Sequence, residues 1–440
     1  MSEAYLPRYL PRLREIRSVS EAHRVGTYDE IKAWLDHIKE HPLDCFENRI
    51  DISELNRELA EFFEDIDARG ADGKLLYPIK QRIWKDLREF LIQRWTSVHK
   101  NELRVLDVII ENLCKDANVA PMLSESIFCL FGDADRSFYT LPSEYSRPIH
   151  LIAVPHSSIQ NIWNWLVLPH ELGHDMFIDI RQLANELEHL VVKALEPYAL
   201  SVGWVNVPRW EPAINQVRWE LIDGTQLIRE LWTEWVFELF PDLLATLMCG
   251  PAYLMQLQEI LRFDAFSWWT MDPTQRYFGG PDPHPVGHVR SLLVSSAIRR
   301  LGYEHHADAL DERLLRTARI PATISWLFRT SEVEQPVLLF EVQWIELLKS
   351  GLLISKIILD TPLESLGQKK LLDFIQFSHA DQEISETEAR NILSTQQKND
   401  PRTRARHLLA AARIAFESEP QKADTIHKVA LSKLLALEAH

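Results

Sequence analysis

The chain has 440 residues, of which 46% are hydrophobic and 25% are charged, as in an ordinary globular protein with a sizeable core. Its 64 acidic residues outnumber its 48 Lys and Arg residues, and the formal net charge of -16 argues against a broad surface for nucleic acid or anionic lipid. No apolar run approaches the roughly 18 residues of a membrane helix. We therefore expect no nucleic-acid partner and no membrane insertion.

The compartment is predicted from the first residues and from the cysteines. The N-terminal stretch lacks the basic block, the apolar block and the cleavage site of a secretion signal. The four cysteines are scattered without a C-x-x-C pair, which is typical of buried thiols in a reducing compartment. We therefore expect a cytoplasmic protein.

Helical periodicity dominates the first third of the chain. Apolar residues recur at three- and four-residue spacing, and this pattern predicts helices over residues 21–39, 52–69, 77–99 and 101–114. A short apolar run at 149–154, bounded by Pro148 and Pro155, is the best strand candidate. This strand would either belong to the core or offer an edge to which an extended substrate pairs.

From residue 157 a helical pattern resumes and continues through residue 174, with Ser157 or Ser158 as its N-cap. Residues 201–212 and 270–287 are predicted loops, and 219–248 and 289–301 are predicted helices. After Gly302 we expect helices to the end, interrupted by a polar linker at 394–402. The predicted fold class is mainly α with a small β-sheet (α+β). It comprises a helical N-terminal region (1–140), a core (141–303) and a helical C-terminal region (304–440).

The sequence HELGH at residues 170–174 is the strongest chemical signal. His170 and His174 stand four residues apart, so a helix places their Cβ atoms about 5–6 Å apart on one face. Two imidazoles can then bind one zinc ion. Glu171 would project beside the metal, where it can accept a proton from an activated water. Such a site still needs a third protein ligand and one open position.

A carboxylate pair on the helix predicted at 219–248 supplies a candidate third ligand. Glu238 and Asp242 are four residues apart, so one can bind the metal while the other accepts a hydrogen bond from a ligand histidine. Glu234 lies one turn earlier on the same face and is the direct rival. Glu230 and Glu220 lie further back.

Two prolines next to these residues leave the local geometry open. Pro169 directly precedes His170, and it marks either a kink within a helix or the start of a new one. Pro241 lies between the two carboxylates and raises the same question. The sequence alone does not choose between these alternatives.

These motifs resemble those of the gluzincin metallopeptidases, within the family that includes the HtpX quality-control proteases and the CAAX prenyl proteases. HELGH is the first element in common. Glu238, Asp242 and Ala245 are similar to the family's E-x-x-x-D-x-x-A pattern. His284 before a proline, followed by Arg290, is similar to its H-P…R segment. The resemblance covers roughly residues 148–300 and omits the membrane helices of the best-known members.

The resemblance implies a zincin-like core at 141–303 that hydrolyses peptide bonds in a protein or peptide substrate. It implies Zn2+ held by His170, His174 and Glu238, with Asp242 supporting a ligand histidine. Glu171 would be the general base.

Three further residues are candidate donors to the oxyanion of the tetrahedral intermediate: His284, Arg290 and Tyr253. The peptidase would be latent until a trigger or a regulatory protein partner opens it. Two alternatives remain open. One is a zinc hydrolase of a non-peptide amide, and the other is a helical interaction or scaffold protein with a structural or vestigial zinc site.

Overall fold

The fold is known from a computed structural model. The structure describes Phe90, Gln93 and residues 99–120, 122–123, 127–132, 138–141, 150–197, 202–211, 216–261, 266–271, 279–282, 284–330 and 335–439. The helices predicted at 21–39 and 52–69 lie outside these residues, as does nearly all of that predicted at 77–99.

Twelve α-helices are defined among the described residues. They are α1 (Lys100–Asp116), α2 (Leu168–Asp179), α3 (Leu183–Leu195), α4 (Gly224–Cys249), α5 (Pro251–Ile260), α6 (Gly287–Arg300), α7 (Glu304–Thr317), α8 (Trp344–Asp360), α9 (Leu371–Phe374), α10 (His379–Leu393), α11 (Ala405–Ser418) and α12 (Ala423–Leu435). Short 3-10 helices cover His156–Ser158, Ile162–Val167, Pro420–Lys422 and Ala436–Ala439.

Nine strands form three small sheets in the described part of the chain. The strands are β1 (Ile127–Gly132), β2 (Tyr139–Leu141), β3 (His150–Pro155), β4 (Trp204–Glu211), β5 (Gln216–Asp223), β6 (Phe266–Met271), β7 (Gly279–Pro281), β8 (Thr323–Thr330) and β9 (Val337–Gln343). The sheet orders are β1-β3-β2, β4-β5 and β7-β6-β8-β9.

The strand predicted at 149–154 is β3, the central strand of the first sheet. It pairs in parallel with β1 and antiparallel with β2, and all six of its residues are buried. The alternative in which this strand offers an edge to a substrate is therefore wrong, because both of its sides are occupied. The edge next to helix α2 belongs to β2 instead.

The predicted loop at 201–212 and the predicted helix start at 219 are also wrong. Residues in these segments form the antiparallel ribbon of β4 and β5, and α4 begins only at Gly224. Asp223 caps that helix, since its carboxylate accepts hydrogen bonds from the backbone N–H groups of Thr225 and Gln226.

The ribbon escaped prediction because both of its faces carry apolar residues. Val205, Val207 and Ile222 point inward and are buried, whereas Trp204 and Leu221 on the opposite face are exposed. This arrangement hides the apolar and polar alternation by which a strand is recognised.

The expectation of helices alone after Gly302 is wrong as well. Strands β8 and β9 interrupt them, and Ile324, Trp326 and Phe328 alternate inward in β8. The predicted loop at 270–287 contains β7, which pairs with β6. The linker predicted at 394–402 contains no α-helix or strand.

The architecture is mainly helical with small sheets, in agreement with the α+β prediction. One continuous apolar core joins α1, the first sheet, α2, α4 and the C-terminal helices. No described helix has the length and apolar character needed to cross a membrane. The three-part division of the chain stays a prediction.

Candidate metal centre

Helix α2 carries the HELGH sequence and starts at Leu168. Pro169 therefore lies in its first turn, where the missing N–H removes no intrahelical hydrogen bond. Pro169 therefore marks the start of a new helix and not a kink within a longer one. His170 and His174 consequently share one buried face, and their Nε2 atoms are 3.0 Å apart.

Helix α4 packs closely against α2 at Gly173. A Cβ atom built on Gly173 would lie 2.6 Å from the Cα and 2.8 Å from the Cβ of Pro241. Such distances are well inside van der Waals contact. Pro241 lies inside α4 and fits against α2 because residue 173 has no side chain. This contact brings Glu238, one turn before Pro241, next to the two histidines.

His170, His174 and Glu238 form a group that could hold a metal ion. Their ligand atoms all lie within 4.8 Å of one another. The Nε2 atoms of the two histidines are each 3.5 Å from an oxygen of Glu238. Metal bonds of about 2.0–2.1 Å at tetrahedral angles would separate the ligand atoms by about 3.3 Å. The spacing therefore fits one ion bound by two nitrogens and one oxygen.

The other acidic residues considered as third ligand do not join this group. Glu234 is exposed to solvent. Glu230 and Glu220 both form ion pairs with Arg209. Among the described residues, Glu238 is thus the only carboxylate in a group of metal-ligand type with the two histidines.

Asp242 supports the group from behind, and no part of it is exposed. Its Oδ1 lies 3.0 Å from Nδ1 of His170. Tyr253 donates to the same oxygen at 2.6 Å. Arg290 donates to both oxygens of Asp242, at 2.7 and 2.9 Å, and its Nη2 is 3.1 Å from Oε2 of Glu238. Arg290 therefore neutralises the buried carboxylates, and Tyr253 helps to orient Asp242.

Burial and the buried carboxylates affect the two histidines in opposite ways. Burial alone would lower the pKa of His170, but its hydrogen bonds with Asp242 and Glu238 raise that pKa to about 9. Burial lowers the pKa of His174 to about 3. Burial opposes ionisation of Glu238, but the positive charge of Arg290 and the contact with His170 hold its pKa well below the ordinary value. The site therefore favours a positive charge between these side chains, where a metal ion would supply it.

Glu171 lies beside the group and is 4% exposed. Its Oε2 is 3.0 Å from the hydroxyl of Thr140 on β2, and the same hydroxyl is 3.1 Å from the Glu171 backbone oxygen. Burial raises the pKa of Glu171 to about 7. A carboxyl group with this pKa can both accept and release a proton near neutral pH.

His284 lies just beyond strand β7, and 55% of its side chain is exposed. Its Nδ1 is 2.7 Å from Oδ1 of Asp282, and its Nε2 is 3.3 Å from Oε1 of Glu238. Burial would lower the pKa of His284, but Asp282 and Glu238 raise it overall. His284 thus combines contact with the metal-ligand group and contact with solvent.

Sequence reasoning missed several residues of this centre. Thr140 gave no signal, because it lies about thirty residues before the residue that it contacts. His150 on β3 lies 3.2 Å from Asp175 and 3.2 Å from Asp179, both on α2. These contacts join helix α2 to the first sheet. The presence of a histidine within an otherwise apolar strand was the sequence signal that could have indicated them. The ring of Phe237 packs 4.4 Å from that of His174.

Comparisons of the chain with protein-family models, with curated proteins and with solved structures find no match. The resemblance to the gluzincins thus stays a prediction.

Proposed function

We propose that the chain is a zinc-dependent endopeptidase. The observation that carries this proposal is the buried group of His170, His174 and Glu238, with Glu171 on the turn of helix between the two histidines. Two nitrogens and one carboxylate oxygen form one of the ligand sets of catalytic zinc. A site that served only structure would have no need for an additional ionisable carboxylate beside the metal.

In this proposal each buried residue has a defined task. His170, His174 and Glu238 would hold the zinc ion, which when bound would supply a Lewis acid at this site. Asp242 accepts the Nδ1 proton of His170 and so fixes its tautomer with Nε2 toward the metal. Arg290 balances the charge of the two carboxylates.

Glu171 carries the proton through the reaction. It takes a proton from the attacking water and transfers it to the leaving amine nitrogen as the C–N bond breaks. We assign to His284 the role of hydrogen-bond donor to the oxyanion, because its side chain reaches solvent. Arg290 and Tyr253, the other candidates from the sequence, direct their polar groups to Asp242 and therefore serve the ligands.

The proposed enzyme rests in a closed state. His170, Glu171, His174 and Glu238 are between 4% and 7% exposed, so a polypeptide reaches them only in the small fraction of molecules that opens spontaneously, and this fraction gives the basal activity. Opening beside His284 would admit an extended substrate, and a regulatory protein partner would supply the trigger. A cytoplasmic location is part of the same proposal.

Metal content and cleavage of unfolded protein test the proposal together. We would compare the wild type with Glu171→Gln, Glu238→Ala and Glu234→Ala. The last variant is the matched control, because it removes an exposed carboxylate one turn away on α4. Elemental analysis should find about one zinc ion per chain in the wild type, Glu171→Gln and Glu234→Ala, and less in Glu238→Ala. Glu171→Gln should retain zinc while kcat falls about 10²–10⁴-fold.

Different outcomes reject different parts of the proposal. Full zinc in Glu238→Ala would remove Glu238 from the ligand set. Hydrolysis of small amides but not of peptides would indicate a non-peptide amide hydrolase. If zinc binds but the wild type and Glu171→Gln cleave unfolded protein at the same rate, the site is structural and the chain is an interaction protein.

A further inference from the structure

The hydroxyl group of Thr140 connects the first sheet to Glu171. Thr140 is the middle residue of β2, and its Cα pairs with that of Ile152 on β3. Its Oγ1 lies 3.0 Å from Oε2 and 3.1 Å from the backbone oxygen of Glu171. Strand β2 therefore contacts the carboxylate of Glu171, the residue that we propose as the general base.

This contact distinguishes the two carboxylate oxygens of Glu171. A carboxylate on a free side chain can rotate and exchange its oxygens, so its orientation toward a reacting water is not fixed. With Oε2 held by a hydroxyl donor, Oε1 remains as the oxygen that can receive the proton. A fixed orientation is valuable because proton transfer requires a donor–acceptor separation of roughly 2.6–3.2 Å.

We propose that Thr140 is a positioning residue that orients the carboxylate of Glu171 for proton transfer. This inference rests on the proposed peptidase function, in which Glu171 is the base. Thr140 does not itself contact the reacting atoms.

The hydroxyl of Thr140 also has an alternative acceptor. It has one proton, which it can donate either to Oε2 or to the backbone oxygen of Glu171. While Glu171 is ionised, the charged oxygen is the stronger acceptor. When Glu171 has taken up a proton, rotation of the hydroxyl toward the backbone oxygen maintains a hydrogen bond. Neither protonation state leaves this donor unpaired, and no bond to Thr140 forms or breaks.

The location of Thr140 on β2 separates it from the metal ligands. The three candidate metal ligands lie on α2 and α4, so the strand that contacts Glu171 is separate from the helices that hold those ligands. A change at Thr140 is therefore expected to affect turnover more than metal content.

Three variants test the proposal. Thr140→Val removes the hydroxyl at nearly constant volume, and Thr140→Ser retains it. Thr233→Val is the matched control, because this half-buried threonine on α4 donates only to the backbone oxygen of Arg229. For each zinc-loaded protein we would measure zinc affinity by chelator competition, kcat and KM, and would determine a crystal structure at the Glu171 side chain.

We expect Thr140→Val to bind zinc like the wild type and to lose about tenfold to a hundredfold in kcat with KM unchanged. Its Glu171 carboxylate should occupy more than one orientation in the crystal. Thr140→Ser should restore one orientation and most of kcat, and Thr233→Val should match the wild type.

Either of two results would overturn the inference. One is a single, unchanged Glu171 orientation in Thr140→Val with wild-type kcat. The other is an equal loss in Thr140→Ser and Thr140→Val, which would mean that the hydroxyl is irrelevant. The crystallographic measurement does not need activity. If no protein hydrolyses peptides, the proposed function fails, but the orientation of Glu171 still decides the role of Thr140.

Discussion

Replacing Arg290 by methionine would remove the one arginine or lysine that the structure places against both Glu238 and Asp242 among the described residues, and would leave His170 as the remaining basic side chain in contact with both carboxylates. Arg290 is 6% exposed, and its guanidinium is 2.7 Å from Oδ2 of Asp242 and 3.1 Å from Oε2 of Glu238. Methionine retains most of the apolar stem, so the change is mainly electrostatic. Removing one partner of a buried ion pair lowers the free energy of unfolding by about 3–5 kcal/mol, and we expect a decrease of this size in the metal-free protein.

The matched control lies on the same helix. Arg299→Met removes an arginine whose side chain is 35% exposed and which pairs with Asp308 and Asp311 at the surface. Surface ion pairs contribute about 0–1 kcal/mol. Urea unfolding of both metal-free variants, followed by circular dichroism, would give the difference in the free energy of unfolding.

Adding zinc makes the prediction more specific. A metal ion at Glu238 would supply the positive charge that Arg290→Met lacks, so zinc should stabilise this variant more than it stabilises the wild type. Equal stability of the metal-free Arg290→Met and Arg299→Met proteins would refute our reading of the buried network. A deficit in Arg290→Met that grows when zinc is added would refute the placement of the metal.

Two further predictions concern packing and pH. Gly173→Ala should destabilise the protein by about 1–3 kcal/mol and weaken metal binding, because its Cβ would overlap Pro241, whereas Gly203→Ala meets no atom within 4 Å and should be near neutral in urea unfolding. Although burial raises it, the pKa of Asp381 is lowered below its ordinary value of 3.8, chiefly by its hydrogen bond with His407. The stabilisation from this carboxylate is therefore fully present above about pH 4 and is lost as the pH falls from that value through the lowered pKa of the folded state, so the stability of Asp381→Asn should depend less steeply on pH between about pH 4 and 2. An unchanged acid dependence in Asp381→Asn, or full stability and metal content in Gly173→Ala, would contradict these predictions.

The parts of the site that the sequence predicted are those with local spacing. His170, Glu171 and His174 lie within five residues, so helical geometry alone places them together. The pair Glu238 and Asp242 followed the same rule on a second helix. That these two helices meet at Gly173 could not be read from either pattern, because the contact depends on tertiary packing.

The parts that the sequence did not predict are those with long-range pairing. Thr140 reaches Glu171 only because β2 pairs with β3 and lies against α2. Strands β4 and β5 were mistaken for a loop and a helix start because Trp204 and Leu221 place apolar side chains on the solvent face. Periodicity reports burial, so it fails where apolar residues are exposed.

The close contact of Gly173 with Pro241 has a consequence for the divergence of this protein. The atom nearest to a Cβ on residue 173 would be the Cα of Pro241, which every residue type has, so no substitution at position 241 makes room for a side chain at position 173. Among related chains that retain the two histidines and Glu238, position 173 should therefore stay glycine whatever residue stands at position 241. A designer who replaces either helix by that of another protein would have to retain this glycine.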